Sequence, residues 1–151
     1  MSEIKIKEIS DAERNQVAEL LAGSEPWIRL GTSLEQCNKV CHDREYILFT
    51  AKIKSDLCGA IILHRRGVAG SPYLKSIIVS EMYRRKGIGA ALMNFAEEYF
   101  RIESKHMFLC VSSFNKHARI FYERLGYLQV GEFKDYIIDG ESEILMYKRL
   151  R

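Results

Sequence analysis

Arg84-Arg85-Lys86-Gly87-Ile88-Gly89-Ala90 follows the apolar run Ile77-Ile78-Val79 and leads directly into a segment of helical periodicity. Two glycines beside a helix start let a backbone approach a ligand closely, and the unpaired N–H groups of a first helical turn carry about half a positive charge. Arg84, Arg85 and Lys86 reinforce that field. The stretch reads as a phosphate cradle suited to the diphosphate of a cofactor, and the elements on either side of it decide the fold that holds it.

Downstream of the loop, Ile88, Leu92, Phe95, Tyr99 and Ile102 recur at steps of four and three, with Asn94, Glu97, Glu98 and Arg101 opposite, which predicts an amphipathic helix. Met107 to Val111 is continuously apolar, the pattern of a strand buried on both faces. Strand, helix and strand then form a right-handed crossover. Tyr73 to Val79, the strand before the loop, therefore runs parallel to the strand after the helix, with both carboxyl ends at one edge where ligands collect. Asn115 starts a further helix whose Ala118, Phe121, Tyr122 and Leu125 share a face and which Gly126 stops. Tyr127 to Phe133 and Glu143 to Leu150 read as two final strands joined around Ile138-Asp139-Gly140.

Upstream, Ile4, Ile6 and Ile9 alternate with Lys5, Lys7 and Glu8 as a half-buried strand. Ser10 or Asp11 caps a helix with Val17, Leu20 and Leu21 inward, Glu13, Arg14 and Glu19 toward water, and Gly23 as its stop. The connector Ser24 to Gly31 carries Trp27, the only tryptophan. Thr32 or Ser33 caps a second helix reaching about Cys41, with Leu34, Cys37 and either Val40 or Cys41 on its apolar side. Tyr46 to Ile53 and Leu57 to Leu63 are strands around a hairpin turn at Lys54-Ser55-Asp56, and Gly67 to Pro72 makes another turn.

The 151 residues suit one compact domain spanning 1–151, and 47% hydrophobic content is ample for a single core. A net charge of +3 is too small to imply nucleic-acid binding, so the positive excess is read locally. No apolar run approaches the roughly 18 residues of a membrane helix and no signal-peptide core opens the chain, so a cytoplasmic protein without a membrane partner is expected. The four cysteines then read as reduced thiols. Cys37, Cys41 and His42 lack a second ligand pair at zinc spacing, and no metal is expected.

The order strand, two helices, three strands, helix, strand, helix, two strands closely resembles the GNAT N-acetyltransferases. The resemblance rests on Arg84-x-x-Gly87-x-Gly89, which matches that superfamily's Arg/Gln-x-x-Gly-x-Gly/Ala signature, and on Asn115-x-x-Ala118-x-x-Phe121-Tyr122-x-x-Leu125-Gly126-Tyr127. Together the motifs cover Pro72 to Tyr127, and the order of elements extends the likeness over nearly the whole chain. It implies an α/β fold of mixed α+β type: a mostly antiparallel sheet of about seven strands with a parallel fourth and fifth pair, and about four helices.

It also implies acetyl-CoA as cofactor and attack of a primary amine on its thioester, the acceptor being a small metabolite, a peptide N-terminus or a protein lysine. Splayed fourth and fifth strands would let Ile77, Ile78 and Val79 pair with the pantetheine arm. The amides of Arg85, Lys86, Gly87, Ile88, Gly89 and Ala90 would take the diphosphate, and Lys116 or Arg119 the 3′-phosphate. Tyr122 matches the family's general acid, Asn115 a group that orients the pantetheine arm or a water, and the N–H of Ile78 or Val79 an oxyanion donor. The fourth-strand carboxylate that many members use as base is replaced here by Leu74-Lys75-Ser76, so the base is unassigned.

Trp27, with Glu25 and Pro26, is the candidate wall of the acceptor site, and Tyr136, Asp139 and Glu141 are comparable candidates. Plainer readings stand beside these: Gly87 and Gly89 for tight packing, Tyr122 and Trp27 as core aromatics, Asn115 as an N-cap. The missing carboxylate equally suits a non-catalytic acyl-CoA-binding or regulatory domain, and the loop alone a nucleotide phosphate binder. The last strand, ending in Tyr147-Lys148-Arg149-Leu150, suits pairing within one chain or across a homodimer.

Overall fold

The fold was described from a computed structural model covering residues 3–151. Seven strands form one sheet in the order β1-β2-β3-β4-β5-β7-β6. They are β1 (Ile4–Glu8), β2 (Tyr46–Ile53), β3 (Asp56–Val68), β4 (Ser71–Val79), β5 (His106–Ser112), β6 (Leu128–Lys134) and β7 (Ser142–Arg149). All neighbours are antiparallel except β4 and β5. β7 lies between β5 and β6, so the last strand completes the sheet within one chain.

Helices α1 (Asp11–Ala22) and α2 (Leu34–His42) cover one face. There Val17, Leu21, Cys37 and Cys41 pack on Leu48, Ile62 and Ile78. Burial pushes the thiols of Cys37 and Cys41 up, Cys41 to about 11, so both stay protonated and pack as small neutral side chains. Helices α3 (Ile88–Arg101) and α4 (Lys116–Arg124) cover the other face over a larger core that includes Leu63, Leu74, Leu109, Ile144 and Met146. Each of α1, α2 and α4 is capped: Ser10 and Ser33 close capping boxes with Glu13 and Gln36, and Asn115 Oδ1 accepts from the Ala118 amide at 3.3 Å.

Several polar residues expected in water are buried. Arg14 reaches from α1 to donate to the Cys41 carbonyl at 2.6 Å, which ties α1 to the end of α2, and Glu13 pairs with Lys52 at 2.7 Å. On α3, Glu97 is 2% exposed, accepting from Lys148 Nζ at 2.7 Å and Tyr127 Oη at 3.2 Å. The inward stripe of α3 is Ile88, Leu92, Met93, Ala96 and Phe100, while Tyr99 and Ile102 are exposed. The small Ala96 and the unbranched Met93, both fully buried, belong to the stripe in place of the bulkier Tyr99 and Ile102.

β3 runs on through His64, Arg65 and Arg66 to Val68, and β4 begins at Ser71, so the turn expected over Gly67 to Pro72 shrinks to Ala69 and Gly70, both at positive φ. His64 stays in the ladder opposite Tyr73, and Arg65 ion-pairs with Glu103 beyond α3. Among the described residues no helix is long and apolar enough to cross a membrane.

Candidate active site

β4 and β5 pair at only two positions, Tyr73 with Phe108 and Leu74 with Leu109, and then diverge. On the β3 side of β4, Ile62 pairs with Ser76 and Leu63 with Leu74, which leaves Lys75 bulged out of register. A bulge bends and twists its strand, and this one falls where the two parallel strands part.

Beyond the bulge the backbone alternates. The Ser80 amide donates to the Cys58 carbonyl at 2.8 Å, so Ile78 and Ser76, two and four residues back, also turn their backbone groups toward β3. Ile77 and Val79 turn theirs into the gap. The expectation that Ile77, Ile78 and Val79 all present free backbone is thereby narrowed: Ile78 contributes a side chain, 5% exposed, to the core under α1 and α2.

The gap opens into a cleft of about 790 Å³ that passes through the sheet. Phe121 and Tyr122 of α4 line it from one face, and Trp27, Cys37 and Val40 from the other. Ile77, Ile78, Val79, Arg84, Asn115 and Tyr136 line it too, so it gathers candidates from both ends of the chain. Arg85, Lys86, Gly87, Ile88, Gly89 and Ala90 continue past its edge into α3.

Gly87 stands at φ 80° as the N-cap of α3, with no side chain capping the helix, in contrast to α1, α2 and α4. The first-turn amides are thus left for an external acceptor, and no acidic residue occupies that turn. This fits a diphosphate. Gly89 has a packing role as well: a Cβ there would meet Phe121 Cζ at 3.3 Å, so α3 and α4 touch where the cradle begins. Arg84 is tethered to the end of β4, its Nε donating to the Val79 carbonyl at 3.2 Å. Of the two cations considered for a 3′-phosphate, Arg119 is held by Glu123 and Gln129, whereas Lys116 is exposed.

Tyr122 is 6% exposed, with its ring held edge-on by Phe121 and Tyr127, and its hydroxyl meets no polar partner among the described residues. Burial pushes its pKa far above the ordinary tyrosine value, so it remains a donor. Asn115 spends its carbonyl oxygen on the α4 cap and keeps its amide N–H groups for the cleft. Asn115→Ala is expected to cost about 1 kcal/mol of stability, read as a lowered midpoint in thermal unfolding. Asn115→Asp retains the cap acceptor and should unfold as the native protein does, while binding acetyl-CoA more weakly in calorimetry.

On the far side, Trp27 packs against the α1–α2 core and also faces the cleft, which joins the two roles open for it. Its connector is clasped across the opening: Arg29 lies over the Phe114 ring at 4.1 Å and pairs with Glu141 at 3.4 Å, and Glu141 accepts from Ser113 Oγ at 2.5 Å. Glu141 therefore anchors the wall. Tyr136, 69% exposed and tilted against Phe133, stands at the mouth, and Asp139 is not among the lining residues. Lys75 lines the cleft from an exposed position.

Glu143 is a carboxylate lining the cleft that the sequence did not single out. It pairs with Ser112 across β5 and β7, and Ser112 Oγ donates to its Oε2 at 2.6 Å. The available signal was its place two residues before Leu145 on a strand whose other face, Ile144 and Met146, is core.

Residues 13–127 match the family model described as Acetyltransferase (GNAT) family. The chain belongs to the GNAT acetyltransferases. Within that family, an N-alpha-acetyltransferase of Sulfurisphaera tokodaii is 37% identical over 78 residues, covering 49% of this chain and 46% of the relative. The match thus spans about half the length of that curated relative. Solved GNAT structures match nearly end to end. An acetyltransferase of the GNAT family from Desulfovibrio desulfuricans superposes with a TM-score of 0.83 at 17% identity, covering 99% of this chain and 100% of that one. Arabidopsis thaliana NAA60, solved with acetyl-CoA, superposes at 0.80 with 16% identity, covering 97% and 98%. The parallel β4–β5 pair in a seven-stranded mixed sheet with four helices is the GNAT fold, and acetyl-CoA is the donor this family uses.

Proposed function

We propose that the protein transfers the acetyl group of acetyl-CoA to the free α-amine of a polypeptide or peptide. The observation that carries this reading is the cleft that passes through the sheet, with Tyr122 and Asn115 on one side of the β4–β5 gap and Trp27, Glu143 and Tyr136 on the other. Donor and acceptor then approach from opposite faces and meet in the gap. Bound there, acetyl-CoA supplies an activated thioester.

The chain's own residues do the rest. Ile77 and the Val79 amide offer backbone groups to the pantetheine arm, as an added strand would find them, while the Val79 carbonyl is held by Arg84. The uncapped amides of α3 hold the diphosphate, Asn115 orients the arm, and Tyr122 donates a hydrogen bond to the departing sulfur. The apolar wall of Trp27, Phe133 and Tyr136 sheds water from the acceptor.

An α-amine is the acceptor class favoured by proton availability: at pH 7 about one in seven α-amines is neutral, against about one in 2,500 lysine side chains. The activity named for the Sulfurisphaera relative is of the same class. The test is thiol release from acetyl-CoA with a panel of acceptors: peptides with free N-termini, the same peptides N-blocked but carrying lysine, polyamines and aminoglycosides. Release confined to free N-termini is expected. Release with polyamines or aminoglycosides alone would replace the acceptor class, and acetyl-CoA binding with no release from any member would leave a non-catalytic acyl-CoA-binding domain.

A further inference from the structure

On the acceptor side of the gap, one carboxylate is built into the sheet. Glu143 projects from β7 on the face that also carries Ser112 and Cys110 of β5 and Tyr73 of β4. Its Oε2 is fixed by Ser112 Oγ at 2.6 Å, whereas its Oε1 has no polar partner, and no cation pairs with it among the described residues. A carboxylate with one oxygen anchored and the other open to a cleft is arranged to receive something.

The groups around it are poor proton acceptors. Burial pushes up both the Tyr73 hydroxyl and the Cys110 thiol, and the charge of Glu143 adds to each, so both stay protonated at neutral pH. Lys75, which acts on Cys110, is a cation. Phe133 of β6, opposite Glu143 in the ladder, is apolar. Glu25 of the connector also lines the cleft, but it is exposed and its carboxylate accepts from the Arg29 amide at 3.1 Å. Glu141 is occupied by Arg29 and Ser113.

Resting on the acetyl-transfer reading, we propose that Glu143 is the general base, its Oε1 taking a proton from the acceptor ammonium beside the β4–β5 gap. The step balances as follows. One N–H bond of the ammonium breaks, its electron pair stays on nitrogen, and the proton joins Oε1. The nitrogen pair then forms the C–N bond, the C–S bond breaks with its pair leaving on sulfur, and the amide nitrogen gives up a second proton, which sulfur takes up. Glu143 returns its proton to solvent through the open cleft.

Burial raises the pKa of Glu143 against the lowering by the Ser112 hydrogen bond, which makes it a stronger base than an exposed glutamate. A carboxyl whose folded-state pKa is raised makes the native state less stable as pH rises through that value. Glu143→Gln removes this cost. The variant should therefore unfold at a temperature no lower than the native protein at neutral pH, with any advantage fading in acid, where Glu143 itself becomes neutral.

The experiment measures kcat/KM against pH for native protein, Glu143→Gln and Ser112→Ala, using acetyl-CoA and a peptide with a free N-terminus, alongside thermal unfolding of each. In Glu143→Gln the rate should fall by about 10²- to 10⁴-fold at neutral pH, the acid limb set by the carboxylate should give way to one that follows the acceptor amine's own ionisation at about 7.8, and stability should hold. In Ser112→Ala the acid limb should move to higher pH, because the bond that stabilises the carboxylate is gone. An unmoved acid limb in both variants, or a rate loss in Glu143→Gln matched by lost stability, overturns the assignment to Glu143 alone. Native protein that releases no thiol with any acceptor overturns the acetyl-transfer reading together with it.

Discussion

Tyr122→Phe is expected to lower kcat by about 10- to 100-fold, the range set by about 1.5–3 kcal/mol for a hydrogen bond to a charged group, while acetyl-CoA affinity and thermal stability stay close to native. The Tyr122 ring is part of the core, with centroids 5.3 Å from Phe121 and 6.1 Å from Tyr127, and phenylalanine preserves that packing. Only the hydroxyl is lost, and it serves no structural bond among the described residues. Burial raises its pKa, so Tyr122 holds its proton; in the proposed mechanism it would donate a hydrogen bond to charge growing on sulfur, an interaction absent before the C–S bond stretches. Single-turnover acetylation measured beside calorimetric binding separates the two effects. Native-like turnover in the phenylalanine variant would remove Tyr122 from the chemistry.

The second large effect lies away from the cleft. Lys148→Met leaves the Glu97 carboxylate 2% exposed with Tyr127 as its remaining partner, and should cost about 3–5 kcal/mol, the usual penalty for an orphaned buried charge. In a domain of this size that is a fall of about 10 °C or more in unfolding midpoint. The double variant Glu97→Leu with Lys148→Met should regain most of the loss, since a well-packed apolar pair substitutes for a buried ion pair at little cost. Equal instability of single and double variants would show that the aliphatic stem of Lys148, not its charge, holds the site.

These two residues show how unevenly the sequence discloses the molecule. Tyr122 was legible because it sits in a local pattern, seven residues after the Asn115 cap and four before the Gly126 stop. The bounds of β2 were legible for a similar reason: Tyr46 to Ile53 is a β-branched and aromatic run next to a tight turn, and the strand has those limits. Glu97 was not legible, because its partners Tyr127 and Lys148 arrive from 30 and 51 residues away. On a helical wheel it is one more acidic residue facing outward. Glu143 was hidden by the same logic. A glutamate near the start of a strand reads as solvated until the strand is placed beside β5 and the gap next to β5 becomes known.

The sheet's two halves, β1 to β4 and β5 to β7, share only two ladder pairs. Hydrogen bonds alone would allow them to melt separately. Under the gap, however, Leu63 and Leu74 from one half share a single apolar cluster with Leu109, Val111 and Ile144 from the other, roofed by α3 and α4. Cooperativity between the halves is therefore carried by side chains on one face. That division of labour frees the backbone along the seam to serve a ligand without splitting the domain into two folding units.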